Sequence, residues 1–288
     1  MTTLVLGPTG HVGPHVVSAL RARGERVRAL VRDPAAAAAL LPGDVELRRG
    51  DLRDEESVRA ALRGVAGLFL LTPHGPSMAA DQHRLIALAR EQHVRIVKLS
   101  GTSAGIGPHG PDACRQHWQV EQDLAGGQSQ YVILRPSAFM QGLVAGLAAS
   151  AVATGTIANP IGVAGLSVVD CADIGEAAAA VLTDFAHDGR TYVLTGPAAP
   201  TYEQIADQIG EIIGRAVTVV DTTPAQVGQA MRGRGATDWE AAHLTEMLTL
   251  FGHGDSEYLT DDVENLTGHP ARSVTDYLHR HAELFATT

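Results

Sequence analysis

Short apolar runs alternate with longer amphipathic stretches over the first two-thirds of the chain. Alternation of this kind is typical of βα units that build a parallel sheet, because each buried strand is followed by a helix that covers the sheet. The pattern therefore predicts an α/β fold with a doubly wound parallel sheet. Its predicted strands are Thr3–Leu6, Arg26–Val31, Val45–Arg49, Gly67–Leu71, Arg95–Leu99, Tyr131–Arg135 and Thr191–Leu194.

The pattern changes after about Gly196, where strand and helix signals no longer alternate. A run of small apolar residues at 145–158 also interrupts the alternation and predicts a helix followed by a crossover. We expect these parts to form a smaller, mostly helical unit at the edge of the sheet where open α/β sheets bind ligands. The other predicted elements are the helices Tyr202–Ile213, Pro224–Met231, Asp238–Phe251 and Ser273–Phe285 and the strand Val217–Val220.

Composition narrows the classes of partner. The 288 residues are 45% apolar, as in globular proteins, and the net charge of -10 argues against nucleic-acid binding, which depends on clustered Lys and Arg. The sequence has no basic leader and no run of about 18 apolar residues, which predicts a cytoplasmic protein without membrane association. The two cysteines, Cys114 and Cys171, lie far apart and outside any zinc-type spacing, so we expect neither a disulfide nor a metal site.

Three glycines stand between the first predicted strand and the helix that follows it. A dinucleotide site needs glycine at these steps, because the chain must turn tightly, approach a pyrophosphate closely and let the helix pack on the strand. The N-terminus of that helix then presents unpaired N–H groups to the phosphates. The loop therefore predicts a Rossmann-type dinucleotide site. Its predicted cofactor contacts are Gly7, Thr9, Gly10, His11, Val12 and Gly13.

These patterns predict two parts of the chain with different roles. Residues 1–138 are expected to form the dinucleotide-binding Rossmann core, which residues from about 160 to 195 complete. Residues 139–159 and 196–288 are expected to form the substrate-binding cap. The substrate would then be bound between the cap and the cofactor.

The second predicted strand ends in the sequence VRDP, at the place where such sites distinguish NAD from NADP. Arg32 lies nineteen residues beyond Gly13, and its guanidinium is suited to a 2′-phosphate. Asp33, one position later, is the kind of carboxylate that binds the ribose hydroxyls of NAD. We expect NADP(H) as the cofactor, with NAD possible.

The loops after the third and fourth predicted strands approach the same site. Asp51, in the segment RRGDL, is expected either near the adenine or as a cap of the helix that begins near Asp54. Leu52, beside it, is also a predicted cofactor contact. Thr72, Pro73 and His74, which follow the fourth strand, are also predicted to border the cofactor.

Six segments occur in a fixed order: GPTGHVG, LVRDP, GDLRD, VKLSGTSA, HWQVEQDL and YVILRPSAFMQ. Together they resemble the NmrA-like group of atypical short-chain dehydrogenases, which includes NAD(P)H:quinone oxidoreductases and azoreductases. The resemblance covers roughly residues 1–194 and is looser over the later helices. It implies a Rossmann fold, an NAD(P)H cofactor and a small aromatic or quinone substrate.

The chain lacks the proton-donating pair of ordinary short-chain dehydrogenases, a YxxxK motif whose tyrosine protonates the substrate oxygen as hydride arrives. No tyrosine has a lysine four places on, and the only lysine, Lys98, lies in a predicted strand. By the resemblance, His117 and Glu121 lie on the helix near the nicotinamide, and Ala113 takes the place of the tyrosine. His117 is the best predicted proton donor, because imidazole titrates near neutral pH. Packing or positioning of the cofactor ribose is its alternative role.

Ser100 stands at the C-terminal end of the fifth predicted strand, where sheet enzymes present polar groups to a ligand. It is predicted as a second catalytic residue and a cofactor contact, with the capping of a turn as its alternative. The resemblance places Pro136 and Phe139 at the nicotinamide side, so these two residues and His117 complete the predicted cofactor contacts. A flat apolar wall for an aromatic ring is expected from His74, Trp118, Phe139 and Met140.

Three functions fit these features. The first is an NAD(P)H-dependent reductase of a quinone or an aromatic ketone, since a quinone is electron-poor and needs little acid catalysis. The second is a ketoreductase of an aromatic secondary metabolite that takes its proton from water or from a phenol of the substrate. The third is a non-catalytic NADP(H) sensor that regulates a partner protein. The oligomeric state does not follow from the sequence.

Overall fold

The computed structural model describes residues 1–285, so the last three residues of the predicted 196–288 segment lie outside the described part. Its centre is a sheet of seven parallel strands, and two short strand pairs lie apart from this sheet. The strands are β1 (Thr2–Val5), β2 (Arg26–Val31), β3 (Glu46–Arg49), β4 (Gly67–Leu70), β5 (Arg95–Leu99), β6 (Tyr131–Pro136), β7 (Ala138–Phe139), β8 (Thr156–Asn159), β9 (Val168–Val169), β10 (Thr191–Leu194) and β11 (Thr218–Asp221).

The strands of the large sheet stand in the order β10-β6-β5-β4-β1-β2-β3. β1 pairs with β2 on one side and with β4 on the other, so the order reverses between β1 and β4. Such a reversal opens a crevice beyond the carboxyl ends of the strands, and the loops after β1 and β4 border it. The predicted doubly wound fold is confirmed, and β2, β5 and β10 agree with the prediction residue for residue.

Helices follow most strands, and capping side chains set where several of them begin. They are α1 (Gly13–Ala22), α2 (Pro34–Ala38), α3 (Glu55–Leu62), α4 (Met78–Glu91), α5 (Asp112–Gly126), α6 (Leu143–Thr154), α7 (Cys171–Thr183), α8 (Tyr202–Ile213), α9 (Pro224–Gly233), α10 (Asp238–Gly252), α11 (Asp262–Thr267) and α12 (Val274–Arg280). Asp54 caps α3, and Thr201 begins α8 with a capping box closed by Gln204. The predicted helix Ser273–Phe285 is interrupted, because His281 leaves helical geometry with φ -112° and ψ 47°.

Two apolar cores hold the large sheet, one on each face. Side chains of α1 and α7 pack in one core, and those of α3, α4 and α5 pack in the other. Every residue of β4 and β5 is buried, as expected for central strands covered on both faces. The single lysine, Lys98, is therefore enclosed within this sheet.

A third core lies outside the large sheet. β7 pairs with β9 and β8 pairs with β11, and apolar residues of α6, α8, α10 and α12 pack together around them. The sequence pattern predicts α8 and α10 but misses β7, β8, β9 and α11, because elements of two to six residues carry too little periodicity. The division into a cofactor core and a substrate-binding cap stays a prediction.

Ion pairs attach the C-terminal helices to the start of α7. Asp170 caps α7 and pairs with Arg280, while Asp173 pairs with Arg272. Both carboxylates are fully buried. Because an unpaired buried charge is strongly destabilising, these pairs fix the position of the C-terminal segment on the sheet.

Candidate functional site

The three glycines after β1 serve different structural purposes. Gly7 has a positive φ of 63°, which glycine adopts without steric cost. A β-carbon added at Gly13 would lie 2.1 Å from the carbonyl oxygen of Gly7, so α1 packs against the turn too closely for any side chain. At Gly10 the nearest heavy atom would lie 3.6 Å away, an ordinary contact. The fold itself does not require glycine at position 10, and the space there is free for a ligand.

The first turn of α1 offers backbone N–H groups. Val12, the residue that precedes the helix, makes no side-chain cap, and Pro14 occupies the first turn. Helix N-termini without a cap attract anions. The side chain of Val12 is buried in the core, so any contact of this residue with a cofactor is made by its backbone. His11 beside it is exposed.

A cleft of about 750 Å³ opens beyond the carboxyl ends of β1, β2, β3 and β4, at the crevice that the strand order creates. Of the residues predicted to contact the cofactor, those that line this cleft are Gly7, Thr9, Gly10, Arg32, Asp51, Leu52, Thr72 and Pro73. Those outside its lining, within the described residues, are His11, Val12, Gly13, Ser100, His117, Pro136 and Phe139. The cleft thus brings together the residues of four separate loops.

The end of β2 separates the roles of Arg32 and Asp33. One carboxylate oxygen of Asp33 accepts hydrogen bonds from the backbone N–H groups of Ala35 (2.9 Å) and Ala36 (3.1 Å) and so caps α2. Arg32 is exposed, lines the cleft and, in the part of the chain that the structure describes, has no ion-pair partner. Arg53, which the sequence analysis missed, lines the same cleft and is equally exposed. The cleft therefore presents two guanidinium groups to an anion.

Two predicted contacts already have partners in the protein. Asp51 accepts a hydrogen bond from the backbone of Arg53 at 2.9 Å, whereas the cap of α3 is Asp54. The hydroxyl of Thr72 accepts a hydrogen bond from Gln82 at 2.8 Å. Both residues line the cleft, and these bonds fix their orientation there.

A buried pair lies beside the cleft where β5 faces α5. The Nζ of Lys98 is 2.8 Å from the Nδ1 of His117, and both side chains are buried. Burial lowers the pKa of Lys98 from 10.5 to about 7. Burial, followed by the charge of Lys98, holds the pKa of His117 well below its usual value. The sequence analysis assigned no role to Lys98, although a lone lysine within an apolar strand is itself unusual.

A second buried network surrounds Ser100. Its hydroxyl donates a hydrogen bond of 2.5 Å to Glu121, and Glu121 forms an ion pair with Arg135 of β6. Ser100 and Glu121 are both buried. Glu121, which the sequence analysis placed on the same helix as His117, therefore connects α5 to the ends of β5 and β6.

A row of aromatic rings runs from His117 to the start of α10. The Nε2 atoms of His117 and His74 are 3.5 Å apart, and the ring centroid of His74 is 5.5 Å from that of His243. Trp239 stacks on His243 at 5.0 Å with an interplanar angle of 16°. The indole N–H of Trp239 donates to Asp112 at 3.0 Å. We call His74, His243 and Trp239 the aromatic row.

The predicted apolar wall is only partly realised. His74 lines the cleft, but Met140 is fully buried in the third core, so its predicted place in the wall is wrong. Phe139 packs against the first core. The sequence could not show that His243 and Trp239, more than 160 residues from His74, supply the rings beside it.

None of the helices in residues 1–285 has the length and apolar character needed to span a membrane. Within the same residues, no group of three or more His, Cys, Asp or Glu side chains is arranged to hold a metal ion.

Comparison with known proteins identifies relatives over nearly the whole chain. The family model described as the NmrA-like family matches residues 1–277. The NAD(P)H azoreductase of Xenophilus azovorans is 32% identical over 284 residues, which are 98% of this chain and 98% of the azoreductase. Quinone oxidoreductase 2 of Escherichia coli is 29% identical over 280 residues, covering 94% of this chain and 96% of that protein.

The fold has a close match among solved structures. The NADPH-dependent quinone oxidoreductase of Escherichia coli, crystallised with NADPH, superposes with a TM-score of 0.87. The two sequences are 26% identical, and the match covers 96% of this chain and 99% of that one. The resemblance carried by the six sequence segments is thereby confirmed, and the chain belongs to the NmrA-like family.

Proposed function

We propose that the protein is an NADPH-dependent reductase that transfers hydride to a quinone or to an aromatic ketone. One observation carries the proposal: the same cleft is lined by Gly10, a glycine that the fold does not need, and by Arg32, whose guanidinium has no ion-pair partner among residues 1–285. A dinucleotide with a 2′-phosphate fits that combination. The azoreductase and the quinone oxidoreductases similar to this chain support the same class of reaction.

The residues around the cleft have defined roles in this proposal. The loop Gly7–Gly13 and the start of α1 bind the pyrophosphate, and Arg32 and Arg53 bind the 2′-phosphate. NADP(H) is favoured over NAD(H) because Asp33, the carboxylate that would bind ribose hydroxyls, caps α2. When bound, NADPH supplies the hydride.

The remaining predicted contacts belong to the adenine and nicotinamide ends. In this proposal Leu52 and Asp51, which line the cleft, contact the adenine, and Thr72 and Pro73, which also line it, contact the middle of the dinucleotide. The family resemblance assigns His117, Pro136 and Phe139 to the nicotinamide end, and in the same proposal Ser100, which follows β5, belongs there too. Of these, Ser100 acts through Glu121, to which its hydroxyl is bonded, and keeps α5 in place.

The acceptor is an electron-poor ring. A quinone accepts hydride readily because its reduced oxygen is a stabilised phenolate, so it needs little help from an acid. A ketone gives an alkoxide, a much stronger base, and needs a proton with the hydride. The buried Lys98–His117 pair beside the aromatic row favours ketone reduction as a second activity of the same site.

The experiment follows NADPH oxidation by absorbance with menadione, an azo dye and a panel of polycyclic aromatic ketones. Turnover with at least one acceptor, lost in Gly10→Val, is the expected result. Tight NADPH binding without turnover on any acceptor would contradict the reductase and favour an NADP(H) sensor that acts on a partner protein.

A further inference from the structure

His117, the predicted proton donor, does not reach the cleft in this structure. Its side chain is 3% exposed and is not part of the cleft lining in residues 1–285. His74 stands between His117 and the open space: it lines the cleft, and its Nε2 faces the Nε2 of His117 at 3.5 Å. The ring of His74 therefore offers a path by which a proton held by His117 can enter the cleft.

We propose that Lys98, His117 and His74 form a proton relay and that His74 delivers the proton to the oxygen of the reduced substrate. The proposal rests on the proposed reductase function. His74 is then the catalytic residue, because it alone of the three lines the cleft. His117 and Lys98 are positioning residues that act through it.

The direction of the hydrogen bonds follows from the groups present. A lysine ammonium only donates, so the Nδ1 of His117 must accept from Lys98 at 2.8 Å. The proton of a neutral His117 then lies on Nε2, which faces His74. His74 accepts at its own Nε2 and keeps its proton on Nδ1, so each group of the relay donates in the direction away from Lys98. A separation of 3.5 Å is long, but such bonds often shorten when the substrate is bound.

Lys98 is suited to begin this relay. Its burial brings the pKa of the ammonium to about 7, so that it gives up a proton near neutral pH, unlike an ordinary lysine. The ammonium also donates to the carbonyl of Leu99 at 3.3 Å, and the neutral amine keeps that bond. The low pKa of His117 keeps this ring neutral between transfers.

The step balances in protons and charge. When hydride reaches the acceptor, the substrate oxygen becomes anionic and takes the Nδ1 proton of His74. His74 regains a proton at Nε2 from His117, and His117 regains one at Nδ1 from Lys98. Both histidines stay neutral with exchanged tautomers, Lys98 becomes an amine, and the substrate gains its hydroxyl. After the product leaves, a solvent proton that enters at His74 resets the relay in the opposite direction.

Three variants test the relay: His74→Gln, His117→Gln and Lys98→Met, with His93→Gln as the control. Glutamine keeps hydrogen bonding but cannot take up a proton on one atom and release a proton from another. His93 is an exposed histidine that precedes the opposite end of β5. We expect kcat with a ketone to fall by roughly a hundredfold in each relay variant, less with menadione, and NADPH affinity to stay constant. Full ketone turnover in His74→Gln would overturn the proposal. Loss of turnover in His117→Gln alone would make His117 the direct donor.

The pH profile separates a relay from a structural role. The groups that face Lys98 are His117 and Glu121 of α5 and Arg135 of β6, and His243 of α10 faces His74. The relay requires protonated Lys98, so kcat with a ketone should be full at low pH and fall as pH rises through about 7. Lys98→Met should lack this fall. The same fall in parent and variant would overturn the role of Lys98.

A measurement without turnover tests the relay even if the proposed function fails. Nitrogen-15 NMR of the histidines, in the parent saturated with NADPH, reports which ring nitrogen carries the proton. Below neutral pH we expect the proton of His117 on Nε2 and that of His74 on Nδ1, and we expect Lys98→Met to change the tautomer of His117. A proton on Nδ1 of His117 in the parent would overturn the relay, whereas absence of any reductase activity would bear on the proposed function alone.

Discussion

Two regions differ in where their polar groups find partners: the part of the cleft at Gly10 and Arg32, proposed to bind the phosphates (the phosphate end), and the buried Lys98–His117 pair, proposed to relay a proton (the proton end). At the phosphate end, Arg32 is exposed and the space at Gly10 is empty of protein. At the proton end, Lys98 and His117 are buried and already bonded to each other. The first arrangement leaves its binding groups available to a ligand, and the second holds charge inside the fold. Substitution of Gly10 or Arg32 should therefore change NADPH binding and not stability, and substitution of Lys98 should change turnover and stability and not NADPH binding.

The glycine loop offers the largest effect at the phosphate end. Gly10→Val fills the open space with a branched side chain, so we expect NADPH binding to weaken by about a thousandfold or more, equal to about 4 kcal/mol, with the fold intact. Gly13→Ala instead meets the carbonyl of Gly7 and should destabilise the protein by about 3 kcal/mol. Calorimetry with NADPH and chemical unfolding measure the two effects.

The two glycine variants are matched controls for each other. Micromolar NADPH binding by Gly10→Val would show that the cofactor does not approach this loop. Normal stability of Gly13→Ala would show that α1 can move away from the turn. Packing would then not require glycine at position 13, and the contrast with Gly10 would have no structural basis.

Lys98 is the corresponding test at the proton end. Because the folded protein releases the Lys98 proton at about pH 7 and the unfolded chain retains it to about 10, stability should rise with pH over this range, by up to about 4 kcal/mol. Lys98→Met should be more stable than the parent at neutral pH and should lack this part of the rise. Urea unfolding of both proteins between pH 7 and about 10 measures the difference. An equal dependence of the unfolding free energy on pH in the two proteins would contradict a lowered pKa of Lys98.

The same contrast explains what could be predicted from the sequence. The phosphate end is made by consecutive elements, from Gly7 in the first loop to Arg32 at the end of β2, and the spacing of glycines carries the signal. The cleft contacts Thr9, Asp51 and Thr72 were also predicted from loops that follow strands. Each of these predictions uses local sequence and the known edge of a parallel sheet.

The proton end could not be predicted in the same way. Its groups come from β5, α5, the loop after β4 and the start of α10, and only packing brings them together. Lys98 lies in the segment VKLSGTSA, but no catalytic motif assigns a role to its side chain, and His243 and Trp239 lie in a region without strand and helix alternation. The direction of the Lys98 side chain, toward His117 and not toward solvent, depends on the two helical layers that bury β5.

Arg32 should have an intermediate effect. Arg32→Ala removes a charge-assisted contact that only NADPH can make, so we expect NADPH binding to weaken by about 1.5 to 3 kcal/mol and NADH binding to stay the same. Stability should not change, since Arg32 is exposed. Calorimetric titration with both dinucleotides measures the selectivity. Equal losses for the two would contradict the place of the 2′-phosphate at Arg32.

Arg53 should have the smallest effect and defines how far the phosphate end extends. Arg53→Ala keeps the backbone bond to Asp51, so only the guanidinium is lost. An exposed charge near a phosphate is screened by water and salt, and we expect a loss of about 0.5 to 1 kcal/mol in NADPH binding that decreases at high ionic strength. If Arg32 and Arg53 bind one phosphate, the loss of NADPH binding free energy in the double variant should differ from the sum of the two single losses, because groups that share a partner are not independent. Strict additivity, or an equal loss of NADH, would place Arg53 elsewhere along the dinucleotide and leave Arg32 as the group that recognises the 2′-phosphate.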